Sequence, residues 1–360
     1  MKISKSLIIV FLSLIFSILL SIYAFASESK LEVHFLDVGQ GDCSVLTCDG
    51  KAMMIDGGNA DKSQLVYTYL KNQGITELEY MFCTHPDADH SGGLSGALNR
   101  VTVGKAFCST VTHDSEAFKD LTKYLNKQGV KLSIPTAGDS YKLGSAVINV
   151  LSVGKNGENN NDSIVLRVDH GKNSFLFMGD AEQEIEQALI KDNRKLLDCD
   201  VLKVSHHGSN DASTKAFLDA VSPSYAIISV GKNNYGHPSE DVLDSLKKTR
   251  AEVHRTDYNG HIKIISDGKT IDVSDSKDTQ WNVVVAGKEK STQKSLNKID
   301  SESADTSSEV SYILNSNSKK IHKPGCKSVK KMKESNKVYF TGTKQEAISQ
   351  GYEPCKNCNP

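Results

Sequence analysis

Short apolar runs recur along this chain, and three of them stop abruptly in polar clusters. Residues 78–83 run into Thr84-His85-Pro86-Asp87-Ala88-Asp89-His90-Ser91-Gly92-Gly93. Residues 174–178 run into Gly179-Asp180-Ala181-Glu182, and residues 199–204 into Ser205-His206-His207-Gly208-Ser209. Continuous apolar runs of this length, bounded by turn residues, read as buried strands that deliver polar side chains at their ends. Further strands are predicted at 31–38, 43–47, 51–55, 103–108, 131–134, 146–153, 163–168, 225–230, 252–255, 262–265 and 270–273. Helical spacing is read at 62–72, 115–128, 182–190, 213–220 and 239–248, with Leu65, Tyr69 and Leu70 on one face of the first. Interspersed strands and helices predict a mixed α/β domain.

The pattern changes at both ends. Lys2 and Lys5 precede an unbroken apolar run over 7–20, followed by Ala24-Phe25-Ala26. This reads as a signal peptide over 1–26, giving a chain that is secreted or sits at the extracellular face of the envelope. The alternative is a retained N-terminal membrane anchor. From 276 to 310 the chain turns to Ser, Lys, Asp and Glu with few apolar residues, as a flexible linker does. Residues 311–360 then form a compact segment, leaving 31–275 as the main domain.

Composition supports a soluble globular protein of 360 residues with one large domain and one small one. The charge is unevenly placed. Residues 311–360 carry ten Lys against three acidic residues, about +7, so the remainder is about −8 within the total of −1. A basic module is attached to an acidic body. Five of the eight cysteines, Cys43, Cys48, Cys83, Cys108 and Cys199, lie mostly in apolar runs and read as small hydrophobes.

His85, Asp87, Asp89 and His90 put two imidazoles and two carboxylates inside six residues. Without thiolate, that set suits zinc, manganese or iron, and it is too large for one ion that keeps an open position. Two metal ions are expected. Asp56, followed by two glycines just past a strand, is expected to support the ligand loop without binding metal. No Ser or Cys nucleophile motif stands beside a paired base, which argues against acyl transfer. His237 lies in the loop Tyr235-Gly236-His237-Pro238 ahead of a helix and is expected to protonate a leaving oxygen or bind phosphate. The helix start at Ser239 is a second phosphate seat. His113 and His170 are read as surface residues.

In the tail, His322-x-x-x-Cys326 and Cys355-x-x-Cys358 form two pairs, the spacing of a closed structural zinc site. A module of about 50 residues buries too little core to fold unaided, so the metal is expected to staple it.

The motif set resembles the metallo-β-lactamase superfamily. With Asp87 at the second ligand position, Phe35-Leu36-Asp37-Val38-Gly39-Gln40-Gly41-Asp42 and Tyr235-Gly236-His237-Pro238, residues 31–273 are similar to the soluble hydrolase domain of ComEC-type competence proteins. The resemblance implies an αββα sandwich in which His85 and Asp87 hold one ion, Asp89 and His90 the other, and Asp180 bridges both. His206 or His207 completes the second ion. Asp89 is also expected to orient the attacking water. The histidine that many members supply between these motifs is replaced by Asn159, Asn160, Asn161 and Asp162. The tail resembles the zinc-binding domain of Ada-type proteins, with His322 in place of one cysteine. No multi-span channel region is present, so a free-standing exported relative is expected.

Two ions about 3.5–4 Å apart acidify a bridging water and steady both oxygens of an in-line displacement at phosphorus. The expected function is therefore an exported metal-dependent phosphodiesterase acting on DNA or another phosphodiester polymer. The body would carry two zinc or manganese ions and the tail one structural zinc, with the tail's lysines tethering polymer. Cell-wall association is included, and no obligate protein partner is evident. Two alternatives stand beside it. One is a cell-wall phosphodiesterase of the teichoic acid phosphorylcholine type, and the other is a non-catalytic binder of envelope polymers.

Overall fold

The computed structural model describes residues 29–154, 160–277, 310–315, 317–323, 326–333, 336–342 and 352–358, in two units, Met1–Lys288 and Glu289–Pro360. The expected signal peptide, Asn159 and nearly all of the expected linker lie outside the described residues. Among the described residues no helix is long and apolar enough to cross a membrane.

In chain order the body begins β1 (Leu31–Phe35), β2 (Ser44–Cys48), β3 (Lys51–Ile55), α1 (Ser63–Asn72), β4 (Glu77–Cys83), α2 (Ala88–Ser91), α3 (Leu94–Leu98), β5 (Thr102–Cys108), α4 (Glu116–Lys127), β6 (Leu132–Ser133), β7 (Ser140–Leu143) and β8 (Ala146–Ser152). It continues β9 (Val165–His170), β10 (Asn173–Phe177), α5 (Gln183–Asp192), β11 (Val201–Lys203), α6 (Lys215–Val221), β12 (Tyr225–Ile228), α7 (Glu240–Thr249), β13 (Glu252–Arg255), α8 (Thr256–Asn259), β14 (Ile262–Ser266) and β15 (Ile271–Asp275). One sheet has the order β15-β14-β1-β2-β3-β4-β5-β6 and the other β13-β12-β11-β10-β9-β8-β7.

The period-two rule of strands explains the layering. Met53 packs between the sheets while its neighbour Met54 packs under the helices; Leu166 and Val165 divide in the same way. Phe35, Phe82 and Phe107 meet Ile148, Phe175 and Phe177 in the central layer. Val66, Leu94, Phe118 and Leu125 cover one sheet from α1, α3 and α4, and Leu189, Phe217 and Leu246 cover the other from α5, α6 and α7. The result is an αββα sandwich. Strands covered on both faces must be apolar at nearly every position, which is why the runs looked continuous and not alternating. Ser115, Thr214 and Ser239 cap α4, α6 and α7 by accepting the N–H of Phe118, Phe217 and Val242.

Two local differences have simple causes. β7 carries Ser140 and Lys142 on a sheet edge and so lacks the apolar signature that flagged the other strands. His170, expected at the surface, is only 2% exposed, and Ser266 and Ser29 hydrogen-bond its two ring nitrogens at 2.8 and 3.0 Å. It is a satisfied core histidine.

The tail unit contains β16 (Val310–Asn315), β17 (Lys320–His322), α9 (Lys327–Lys330), β18 (Lys337–Gly342) and β19 (Glu353–Pro354), ordered β18-β16-β17-β19.

Candidate metal centres

β4 runs parallel to β3 and β5, and β10 runs parallel to β11, which is parallel to β12. Within each sheet the parallel strands finish at the same edge, and across the two sheets the clusters after β4, β10 and β11 meet, with His85 3.9 Å from Asp180 and His207 3.2 Å from Asp89. Backbone hydrogen bonds lock the adjoining loops: Asp42 N–H to Asp89 O at 3.1 Å, Gly57 N–H to His90 O at 2.7 Å, Gly58 N–H to Asp42 O at 2.7 Å and Gly93 N–H to Gly58 O at 2.7 Å. The contacts are too close for side chains. A Cβ at Gly41 would fall 2.5 Å from Asp89 O, and one at Gly93 would fall 1.9 Å from Gly57 O.

Three buried imidazoles are oriented through Nδ1. Asp56 accepts from His90 Nδ1 at 2.9 Å and also binds the N–H and hydroxyl of Thr84 at 2.7 and 2.8 Å. With that hydroxyl proton committed to Asp56, His85 Nδ1 donates to Thr84 Oγ1 at 3.2 Å and Ser163 Oγ at 3.3 Å. His207 Nδ1 donates to the carbonyl of Ser229 at 2.9 Å. Each Nε2 then faces the Oδ2 of buried Asp180, at 3.9 Å from His85, 3.3 Å from His90 and 3.6 Å from His207. Among the described residues, Nε2 of His85 and His90 and Oδ1 of Asp180 have no hydrogen-bond partner. Buried polar atoms without partners are costly, and this converging nitrogen and oxygen set fits a divalent cation. Among the groups whose ligand atoms all lie within 4.8 Å of one another are His85, His90 and Asp180, and Asp89, His90 and His207.

The two adjacent histidines are separated by geometry. Both have positive φ, 47° at His206 and 52° at His207, a conformation that costs a non-glycine residue of order 1–3 kcal/mol. His207 is buried with its Nε2 3.2 Å from Asp89 Oδ2, whereas His206 clusters with Glu182 and Asp211 at the rim. His206 Nε2 is still 3.8 Å from Asp180 Oδ2. Asp87 lies 3.7 Å from His85 Nε2 with about half its side chain exposed. His237 joins the rim, its ring 5.3 Å from that of His206. The Asn160–Asp162 turn braces this rim: Asn160 Nδ2 donates to Glu182 Oε1 at 2.9 Å, and Glu182 N–H to Asn161 Oδ1 at 2.9 Å. Asp56, expected to support the ligand loop, is placed against His90 and Thr84.

Neither Asp42, which closes the motif over 35–42, nor Lys203 was expected to support the site. Lys203, 2% exposed in β11, places Nζ 2.8 Å from Asp42 Oδ2, and Asp42 Oδ1 lies 3.3 Å from His207 Nδ1. The signal was a lysine inside an otherwise apolar run. Removing one member of a buried pair strands the other charge. Lys203→Met is therefore expected to weaken metal binding about 10- to 100-fold through His207. Competition with a colorimetric chelator measures it, and unchanged affinity would refute the link.

In the tail, the ligand atoms of His322, Cys326, Cys355 and Cys358 all lie within 4.8 Å of one another. His322 ends β17, Cys326 precedes α9, and the other two cysteines follow β19. Nδ1 of His322 is buried without a partner among the described residues. Burial raises the Cys326 thiol, but hydrogen bonds to His322 and the Ser328 N–H outweigh it and hold the thiol at about 6. Tyr312, Leu314 and Ile321 form a small apolar core.

The family model for the metallo-beta-lactamase superfamily matches residues 36–232. The chain belongs to that superfamily. The model described as the metal binding domain of Ada matches residues 303–360. The chain is 31% identical over 271 residues to ComE operon protein 3 of Bacillus subtilis (strain 168), covering 68% of this chain and 34% of that protein. Recombination protein 2 of Haemophilus influenzae is 30% identical over 271 residues, covering 72% and 32%, and Competence protein ComA of Neisseria gonorrhoeae is 28% identical over 238, covering 66% and 32%. The chain thus spans about a third of these relatives' length. Among solved structures, the metallo-beta-lactamase fold protein YhfI from Bacillus subtilis shares 12% identity at a TM-score of 0.45, covering 66% of this chain and 100% of that one.

The His and Asp groups of the metallo-beta-lactamase body fit a metal centre, and their electrostatics describe how such a centre loads. Burial works against charge on His90, but Asp180, Asp56 and Asp89 outweigh it and raise its pKa well above the ordinary value. His207 behaves alike: burial lowers it, while Asp180, Asp42 and Asp89 push it up to about 10. Burial likewise opposes charge on Asp180, yet His90 and His207 hold it well below the carboxylate range. Without a cation both imidazoles are therefore expected to hold protons at neutral pH, which a cation would displace. Metal affinity is expected to rise with pH from about 6 to about 9, with net proton release on binding. Calorimetry in buffers of different ionisation enthalpy reads that release, and zero protons at neutral pH would contradict the geometry.

Proposed function

We propose that the protein is an exported phosphodiesterase that cleaves DNA with two divalent ions, zinc or manganese, in its body. The observation that carries this reading is the convergence of three buried imidazoles on Asp180 beside Asp89. His85, Asp87 and Asp180 would hold one ion; Asp89, His90, His207 and Asp180 would hold the other. Such ions acidify water and neutralise charge that develops on a phosphodiester.

The chain's own groups do the rest. Asp89, with 30% of its side chain exposed, presents a carboxylate to the mouth of the site, where it aligns water. His237 has Nδ1 without a partner among the described residues, and burial together with His206 and His207 lowers its pKa. A neutral imidazole suits the second of its two expected roles, binding a phosphate oxygen. Names carrying competence and recombination among the relatives direct the choice of polymer towards DNA. The lysine-rich tail supports it as a sequence-independent tether.

The test uses the full chain with manganese or zinc, comparing single- and double-stranded DNA, bis-p-nitrophenyl phosphate and p-nitrophenyl phosphorylcholine. Cleavage of DNA that disappears in Asp89→Ala is expected. Intact DNA with turnover of the phosphorylcholine ester would reassign the substrate, and no turnover of any ester with fewer than two metals per body would favour a binding protein.

A further inference from the structure

Tyr235 stands out on the surface of the body. It is 76% exposed, the most exposed large apolar side chain among the described residues. Tyr258, next at 67%, is covered by the Arg255 guanidinium 4.1 Å from its ring; no such cation lies over Tyr235 among the described residues. Yet the loop that carries Tyr235 is firmly built. Asn233 Oδ1 accepts the N–H groups of Tyr235, Gly236 and His237 at 3.0, 3.0 and 3.1 Å, and its Nδ2 donates to the carbonyls of Gly231 and His237 at 2.9 and 2.8 Å. The aromatic ring is thus presented to solvent by a braced loop.

Its place is the rim of the metal centre. The ring lies 5.7 Å from that of His237, which is 5.3 Å from that of His206, whose Nε2 is 3.8 Å from Asp180. Lys232, exposed on the same loop, has no ion pair among the described residues. An aromatic face and a free ammonium beside a phosphodiester site match a strand with unpaired bases, because every base has a face to stack and every linkage a charge to meet. A quaternary ammonium headgroup fits less well: it is held by several aromatic faces and would be repelled by Lys232.

We propose that Tyr235 is a stacking platform for the nucleobase next to the scissile linkage, so that the site selects single-stranded over double-stranded DNA. In a duplex the bases are stacked on one another, and engaging the platform requires unpairing one. The proposal rests on the nuclease reading above.

The full-length protein, Tyr235→Ala and Tyr235→Phe are compared on a single-stranded oligonucleotide, the matching duplex and an abasic deoxyribose-phosphate strand, with metal content matched. The parent is expected to cleave the oligonucleotide faster than the duplex. Tyr235→Ala is expected to lose about 10- to 100-fold in kcat/KM on the oligonucleotide. It should match the parent on the abasic strand, and Tyr235→Phe should keep most of the activity. Equal cleavage of the oligonucleotide by the parent and Tyr235→Ala, or an equal loss on the abasic strand, would overturn the platform while leaving the nuclease intact. A parent that leaves all DNA uncut but hydrolyses p-nitrophenyl phosphorylcholine would overturn both.

Discussion

Asp180→Asn is expected to lower kcat/KM on a phosphodiester by about three orders of magnitude or more and to strip metal from the body. The substitution keeps the shape of the side chain and the backbone N–H donated to Ser163 Oγ at 3.0 Å. What it removes is the one charge faced by Nε2 of His85, His90 and His207 together. Asp180 heads the interactions that raise both His90 and His207, so in the metal-free variant both imidazole pKa values should fall, His207 from about 10. Three measurements on one preparation decide it: metal per chain by plasma emission, far-ultraviolet circular dichroism, and imidazole titration by NMR. A variant that folds, keeps its metal and turns over substrate near the parent rate would remove Asp180 from the centre.

Loss of zinc from the tail is expected to unfold that unit and leave the body folded. Structural zinc contributes about 10–16 kcal/mol in comparable small modules, far more than the cores around Tyr312 and Ile313 can replace. Cys355→Ser separates the tail from the body, because it cannot affect metal held by imidazoles and carboxylates. Amides of β16 and β17 should then exchange hydrogen at unprotected rates while those of β10 and β11 remain slow. Continued protection of β16 in zinc-free Cys355→Ser would show that the staple is not the metal.

The residues explain why some features were legible and others were not. His85, Asp87, Asp89 and His90 are close in the chain, so their chemistry was visible as a local cluster, and the tail ligands were visible by their pairing. The strand pattern alone indicated only a mixed α/β domain; the sandwich was an expectation drawn from the resemblance, and the two-sided burial of its strands agrees with it. The choice between His206 and His207 was not legible. Adjacent residues of one type differ only in the direction that φ values of 47° and 52° impose. The Asp42–Lys203 pair joins a loop near one end of the body to a strand far along the chain, and nothing in either local pattern names the other.

Chain order and residue type therefore specify the donors, the strands that deliver them and the existence of two metal-binding units. Which donors converge, and which groups hold each imidazole by Nδ1, are decided by the tertiary structure, in which the parallel strands β3 to β5 and β10 to β12 carry them. Those strands bring ends from distant segments together, and bonding there depends on distances of a few ångströms that spacing along a chain does not encode.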